Sequence, residues 1–161
     1  MRIFLNKDNY LISFIILLFL LFSNKIVVAD EAESLYQSGL HLFDVGDFEN
    51  SVEKLEKAIE LKPNNALFHH ILAKSYGRLA EESGWLKAIK LAKKTLKHLE
   101  LAAELDKQDK GEIDAAINIE ILSDLMKYYQ EAPIFLGGST KKANEINEII
   151  RKIYTLKYEK Y

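Results

Sequence analysis

The sequence has no cysteine and little proline or glycine. Its 161 residues include no Cys, two Pro and seven Gly. Without Cys, the chain cannot be a disulfide-stapled miniprotein or hold Cys-ligated zinc, and so few Gly and Pro exclude collagen and turn-dense β architectures. With 48 % hydrophobic residues, it is also too apolar for intrinsic disorder. We therefore expect one domain that is mostly helical.

Much of the apolar content lies in one run near the N-terminus. Residues 11–22 are twelve residues with a single Ser and no charge. A membrane-spanning helix needs about 20 apolar residues, whereas the hydrophobic region of a signal peptide has about 7 to 15. Small side chains at Val27 and Ala29 favour cleavage before Asp30. The alternative is an uncleaved anchor formed by residues 11–28.

Export is the expectation that follows, with residues 1–29 as the signal peptide and residues 30–161 as the mature domain. We expect a periplasmic location, or attachment to the inner membrane if the segment is retained. Cleavage removes three cations and one anion, so the net charge changes from −2 to −4. A mildly acidic domain has no electrostatic footprint for nucleic acid. Membrane contact is therefore expected only through an uncleaved N-terminal segment.

Residues 32–65 contain two stretches of helical periodicity separated by Gly46 and Asp47. This pattern predicts two amphipathic helices joined by a tight turn. Gly39 and Ala58 are small where the partner helix must approach closely, and Pro63 ends the second helix. The same residues resemble a known family in length, order and side-chain size. The positions that match the tetratricopeptide repeat (TPR) are Leu35, Gly39, Leu42, Gly46, Asp47, Phe48, Ser51, Leu55, Ala58 and Pro63.

The resemblance implies an all-α fold, a short solenoid of about three TPR-like helix pairs. We place the repeats at about 32–65, 66–107 and 112–158. Ala102 follows Ala58 by 44 residues rather than 34, so about ten residues are inserted, and the second helix of the second repeat is expected to hold them. Its apolar stripe runs from Trp85 through Ile89, Ala92, Leu96 and Leu99 to Ala103.

The third unit is less regular and contains a loop with Pro133 and the Gly137-Gly138 pair. Ser139 after the glycines is a good N-cap for the last helix. With the long second repeat, the Ala-Pro-x-Phe-Leu-Gly-Gly loop resembles a bacterial subgroup of exported TPR proteins. A more distant resemblance is to helical-repeat subunits of periplasmic tripartite transporters.

The resemblance also implies a concave groove, built by the first helix of each repeat, that binds a protein or peptide. Carried over by position, the groove candidates are Tyr36, Gln37, Leu40, Phe43, Asp44, His70, Lys74, Arg78, Met126 and Tyr129. For Leu40 and Phe43 the alternative is packing against a neighbouring helix. Some family members grip a terminal carboxylate with Lys and Asn, but those positions hold Tyr36 and Leu40 here, so that clamp is absent.

Four lysines, Lys87, Lys90, Lys94 and Lys97, share one face of the long helix. An acidic partner or membrane could bind them, although a solvated face is the simpler interpretation. No two histidines have the His-x-x-x-His spacing of a helical metal site, so no metal or cofactor is expected. The Gly137–Lys142 segment lacks the order of a phosphate-binding loop.

No grouping typical of a catalytic triad is present, so we expect a non-catalytic scaffold or adaptor of the bacterial cell envelope. The alternatives are a small-ligand or lipid carrier, with a pocket near Trp85 and the loop Pro133–Gly138, and an accessory subunit of a transport system. Self-association through exposed repeat ends is a further alternative.

Overall fold

The computed structural model describes Phe14, residues 28–108 and residues 115–158. These residues form six α-helices, a 3₁₀ turn at Ile134–Leu136 and no β-strand. The helices are α1 (28–44), α2 (Phe48–Leu61), α3 (Ala66–Glu81), α4 (Trp85–Gln108), α5 (Ala115–Glu131) and α6 (Thr140–Tyr158). The all-α solenoid of TPR-like helix pairs is confirmed, with pairs α1–α2, α3–α4 and α5–α6.

The apolar N-terminal run lies outside the described residues, apart from Phe14. Within the described part of the chain, no helix combines the length and the apolar character needed to span a bilayer. Ala29 and Asp30, the predicted cleavage site, are exposed residues at the beginning of the described part of α1.

The turn between α1 and α2 is built from the Gly46-Asp47 pair. Gly46 has a φ of 84°, a left-handed conformation that L side chains rarely adopt. The carboxylate of Asp47 accepts a hydrogen bond from the Asn50 amide at 3.3 Å and so caps α2. The predicted break between two helices is therefore confirmed.

Small side chains bring α1, α2 and α3 close together. A Cβ at Gly39 would lie only 2.6 Å from Leu55 Cγ. A larger residue at position 39 would therefore prevent α1 and α2 from approaching as closely as they do. Ser51 Oγ donates to the Gly39 carbonyl at 2.8 Å and lies 2.9 Å from Ser75 Oγ of α3. Because both hydroxyls are fully buried, these bonds satisfy groups that would otherwise be costly to bury.

The core continues along the chain in overlapping clusters. The first cluster lies between the two leading hairpins and includes Leu55, Phe68, Leu72 and Tyr76. Another is centred on α4, α5 and α6 and includes Leu99, Leu122, Leu125, Tyr129, Ala143, Ile146 and Ile150. Each hairpin therefore buries its apolar face against the next, as expected for stacked repeats.

The insertion is confirmed as an elongated α4, which has 24 residues where α2 has 14. Its predicted stripe is buried at Leu99, but Trp85 in the first turn is 72 % exposed. Of the four lysines that share one face of α4, two form ion pairs with glutamates of α2. Lys87 Nζ lies 3.5 Å from Glu49, and Lys94 Nζ lies 3.3 Å from Glu56.

The loop between α5 and α6 packs on α4. The hydroxyl of Tyr128 lies 2.9 Å from the Ala92 carbonyl and 3.0 Å from the Leu136 carbonyl, so it joins α4 to the loop. Ser139 Oγ accepts from the Lys142 amide at 3.3 Å, and its own amide donates to the Tyr129 carbonyl at 2.8 Å. The Gly-Gly-Ser segment is thus a turn with a helix cap, as the sequence predicted.

Candidate binding groove

An open pocket of about 330 Å³ lies between α3 and α5. Its apolar floor includes Ala73, Gly77 and Leu99, and Phe43 of α1 lies at one side. The charged lining residues are balanced: three cations (Lys74, Arg78 and Lys127) and three anions (Glu81, Asp124 and Glu131). A volume of this size is at the small end of the range for ligand sites.

Two of the cations lie over aromatic rings. Lys74 Nζ is 5.7 Å from the centroid of the Phe43 ring, and Arg78 Cζ is 5.3 Å from that of Phe48. The two rings are themselves in contact, with centroids 5.6 Å apart. Each cation is also paired with a carboxylate, Lys74 with Glu120 and Arg78 with Glu81, so ring and carboxylate together orient the charged group.

Polar side chains of α3 and α5 meet beside the pocket. His70 Nε2 lies 2.8 Å from Asp124 Oδ2, and Lys74 Nζ lies 2.9 Å from Glu120 Oε1. Burial alone would raise the pKa of the Asp124 carboxyl. The hydrogen bond from His70 and the charges of His70, Lys74 and Lys127 outweigh burial and hold that pKa below its usual value. Asp124 is therefore ionised at neutral pH.

Three of the ten predicted groove residues line this pocket: Phe43, Lys74 and Arg78. Gln37 and Asp44 are exposed on α1, where Gln37 donates to Glu33 at 3.0 Å. Leu40 and Met126 are partly buried against the core clusters, so Leu40 follows the packing alternative.

The other three predicted residues lie in the core beneath the groove. Tyr36 is 8 % exposed and stacks on Phe68 with ring centroids 4.7 Å apart. Tyr129 is 4 % exposed and donates its hydroxyl hydrogen to Glu100. His70 is 2 % exposed and reaches the surface only through Asp124. Such side chains have little area to offer a partner.

Sequence reasoning missed the residues that α5 contributes to the pocket. Asp124, Lys127, Tyr128 and Glu131 line it, whereas the predicted Met126 and Tyr129 lie on the core side. The four lining residues are spaced by 3, 1 and 3 residues, which places them on one face of a helix. This spacing was the sequence signal that could have identified them. The register of α5 was uncertain because no regular repeat motif fixes it.

The pocket does not lie where the sequence predicts one for a ligand carrier, near Trp85 and the loop Pro133–Gly138. Neither Trp85 nor the loop Pro133–Gly138 lines it. In that loop Ile134 and Phe135 are 89 % and 69 % exposed. The apolar side chains of this region therefore face outward.

A second polar pair lies between α3 and α4, with His69 buried and His98 half-buried. His69 Nε2 lies 2.9 Å from the Pro63 carbonyl, which can only accept, so this nitrogen carries the proton. His69 Nδ1 then accepts from His98 Nδ1, 2.8 Å away. Burial lowers the pKa of both imidazoles, and with the nearby charges it brings the pKa of His98 to about 4. Both rings are therefore neutral at pH 7.

Comparison with known proteins agrees with this architecture. Residues 39–79 match a family model described as TPR repeat, a segment that runs from α1 through α2 to the end of α3. The match covers 41 of the 161 residues and includes Phe43, Lys74, Gly77 and Arg78 of the groove. No curated protein matches the chain. The TPR match indicates a scaffold for protein–protein interaction.

Proposed function

We propose that this protein is a non-catalytic scaffold of the bacterial cell envelope that binds a polypeptide partner in the groove between α3 and α5. The observation that carries the proposal is the pocket that α3, within the TPR-matched segment, forms with α4 and α5. Its apolar floor accommodates a side chain, and its balanced charges suit a polypeptide that presents both signs. A strongly charged small ligand would lack this complementarity.

The neighbouring rings and cations explain how such a groove stays open. Because Lys74 and Arg78 rest over Phe43 and Phe48, their head groups are positioned before a partner arrives. Less conformational entropy is then lost on binding, which favours affinity. The groove therefore has the preorganisation expected of a docking site.

Gly77 offers a direct test, because it lies on the pocket floor. A Cβ there would meet Thr95 at 3.8 Å, an ordinary contact, so Gly77→Ala should fold and bind normally. Gly77→Leu would fill part of the pocket and should weaken capture by about tenfold, a loss of about 1.4 kcal/mol. Capture would be measured by placing a photo-crosslinking amino acid at exposed Lys127 in living cells.

The control crosslinker belongs at Lys93, which is exposed on α4 and does not line the pocket. The proposal requires a species crosslinked from position 127, absent from position 93, and reduced by Gly77→Leu but not by Gly77→Ala. Equal yields from both positions, or equal capture by both glycine variants, would contradict the groove assignment.

We further propose export to the periplasm, with cleavage before Asp30 and the inner-membrane anchor as the alternative. The short apolar run at residues 11–22 supports export. The first described core residue, Ala32, follows the cleavage site, so a cut there keeps every core residue of the described part. The intact mass of the native protein should correspond to a chain that starts at Asp30, and full-length protein in the membrane fraction would favour the anchor.

A further inference from the structure

We propose that His70, Glu120 and Asp124 form a binding site for one divalent transition-metal ion of the zinc type. This inference is independent of the groove's partner. Each residue offers one ligand atom, and the three atoms lie within 4.8 Å of one another. One imidazole from α3 and two carboxylates from α5 thus converge across a hairpin boundary.

The geometry needs little adjustment to hold an ion. Zinc lies about 2.0 to 2.2 Å from nitrogen and carboxylate ligands, which places neighbouring ligand atoms roughly 3 to 3.5 Å apart. His70 Nε2 and Asp124 Oδ2 are already 2.8 Å apart. The Glu120 side chain is 55 % exposed, so it can rotate to complete the set.

A buried imidazole distinguishes this cluster from a group of acidic residues on a surface. His70 is 2 % exposed, so packing fixes the direction of its imidazole, whose Nε2 points toward Asp124. A nitrogen ligand held in one orientation is expected of a metal site. The Lys74 ammonium lies 2.9 Å from Glu120, an ion pair that a metal ion would displace.

Lys74 is therefore the competitor of the metal. Its ammonium can leave Glu120 and remain over the Phe43 ring, from which it is 5.7 Å away. Removing the ammonium should then strengthen metal binding, because the carboxylates lose a resident positive charge. This is the opposite of what loss of a merely structural ion pair would produce.

The donor set selects the class of metal. Carboxylates with an imidazole suit zinc and its neighbours, whereas calcium and magnesium prefer oxygen ligands alone. The chain has no Cys to favour soft monovalent copper. Three protein ligands leave positions for water or for a group of a partner, as in open zinc sites.

Calorimetric titration of Zn²⁺ into the untagged full chain, after treatment with a chelator, tests the site. We expect one ion per chain, with Mg²⁺ giving no comparable heat. Glu120→Gln should weaken affinity by about tenfold or more, and Lys74→Met should strengthen it several-fold. His41→Gln, which removes an exposed imidazole on α1, should leave affinity unchanged.

Glu120 is exposed enough that its variant should fold, and circular dichroism would check this. Zinc should also raise the melting temperature of the wild type and not that of Glu120→Gln. No binding at about 1 mM zinc, or equal affinity in the wild type and Glu120→Gln, would overturn the proposal. An equal rise in melting temperature in both would place the ion elsewhere and would overturn it too.

Discussion

In the first and third hairpins, the two helices are joined by connections of different length. The α1–α2 turn has three residues, Val45 to Asp47, while α5 and α6 are joined by the eight residues Ala132 to Ser139. Each connection contains a glycine with positive φ, Gly46 at 84° and Gly137 at 98°, followed by a polar N-cap. Both connections thus use a positive-φ glycine and a polar N-cap, but the surroundings of the two connections differ.

The difference lies in what each connection contacts. A Cβ at Gly46 would meet nothing within 4 Å, and Val45 beside it is 63 % exposed, so these two residues of the first turn face solvent. The third connection packs against the preceding repeat, where Tyr128 joins the carbonyls of Ala92 and Leu136. A short turn therefore closes one hairpin, whereas the long loop also fixes its hairpin to its neighbour.

The largest expected effect comes from Gly138→Ala. The new Cβ would lie 1.7 Å from the Ala132 carbonyl oxygen, a backbone atom that no side-chain rotation can relieve. We expect a loss of about 3 kcal/mol in the free energy of unfolding, measured by urea denaturation. The first-turn counterpart, Gly46→Ala, carries only the strain of its positive φ and should lose about 1 kcal/mol. Equal losses would remove the distinction between the two connections.

An intermediate loss of stability is expected at acidic pH, and it should arise at the contact of α3 with α4 rather than in the third hairpin. All four histidines precede α5, and the pKa of half-buried His98 is about 4 against 6.5 when unfolded. Between these values the unfolded chain binds more protons, so stability falls as the pH decreases from about 6.5 toward 4. From pH 7 to pH 5 we expect His98 to account for about 2 kcal/mol of lost stability.

Urea unfolding at both pH values, with hydrogen exchange of the amides, would measure this effect. Exchange should accelerate first around the contact of α3 with α4. His98→Asn should reduce the pH dependence, and His41→Gln on the exposed face of α1 should retain it. A pH dependence that is unchanged in His98→Asn would show that the His69–His98 pair is not its source.

The smallest effect is expected from Tyr128→Phe, which removes only the hydroxyl that joins the loop to α4. The loss should be about 1 kcal/mol, the usual value of one hydrogen bond, because the ring remains packed. Amides of Gly137 and Gly138 should exchange faster, while those of the first turn, such as Gly46, should not change. Unaltered exchange in the loop would mean that α4 does not hold it through this residue.

Most of the fold was predictable because it depends on local patterns. The Gly46-Asp47 break, the Ser139 cap and the long second helix follow from residue spacing, and the structure has all three. The α2–α4 ion pairs also had a signal that was missed. Glu49 and Glu56 are seven residues apart, as are Lys87 and Lys94, which is the spacing of two helical turns.

The polar contacts of the groove could not be predicted in the same way. His70 meets Asp124 across 54 residues, and His69 meets His98 across 29, so each contact depends on how separate helices settle against each other. The groove residues of α1 and α3 were partly found because a repeat motif fixes their register. Those of α5 were not, because the third unit departs from the motif.

The α2–α4 ion pairs also locate the extra length of α4. Glu49 with Lys87 and Glu56 with Lys94 are both 38 residues apart, so at the same offset the end of α2 at Leu61 lies level with Leu99. The residues from Glu100 to Gln108 therefore extend beyond the end of α2.

This extension carries attachments of the third hairpin. Glu100 accepts hydrogen bonds from Tyr129 and Lys142, and Asp106 accepts one from Asn118. A single helix thus belongs to two structural units, since it completes its own repeat and also contacts the next one along its length. Trimming α4 to the length of α2 would remove the Glu100 and Asp106 contacts and leave the third hairpin attached through earlier residues such as Ala92. The inserted segment therefore adds to the attachment of an irregular third pair.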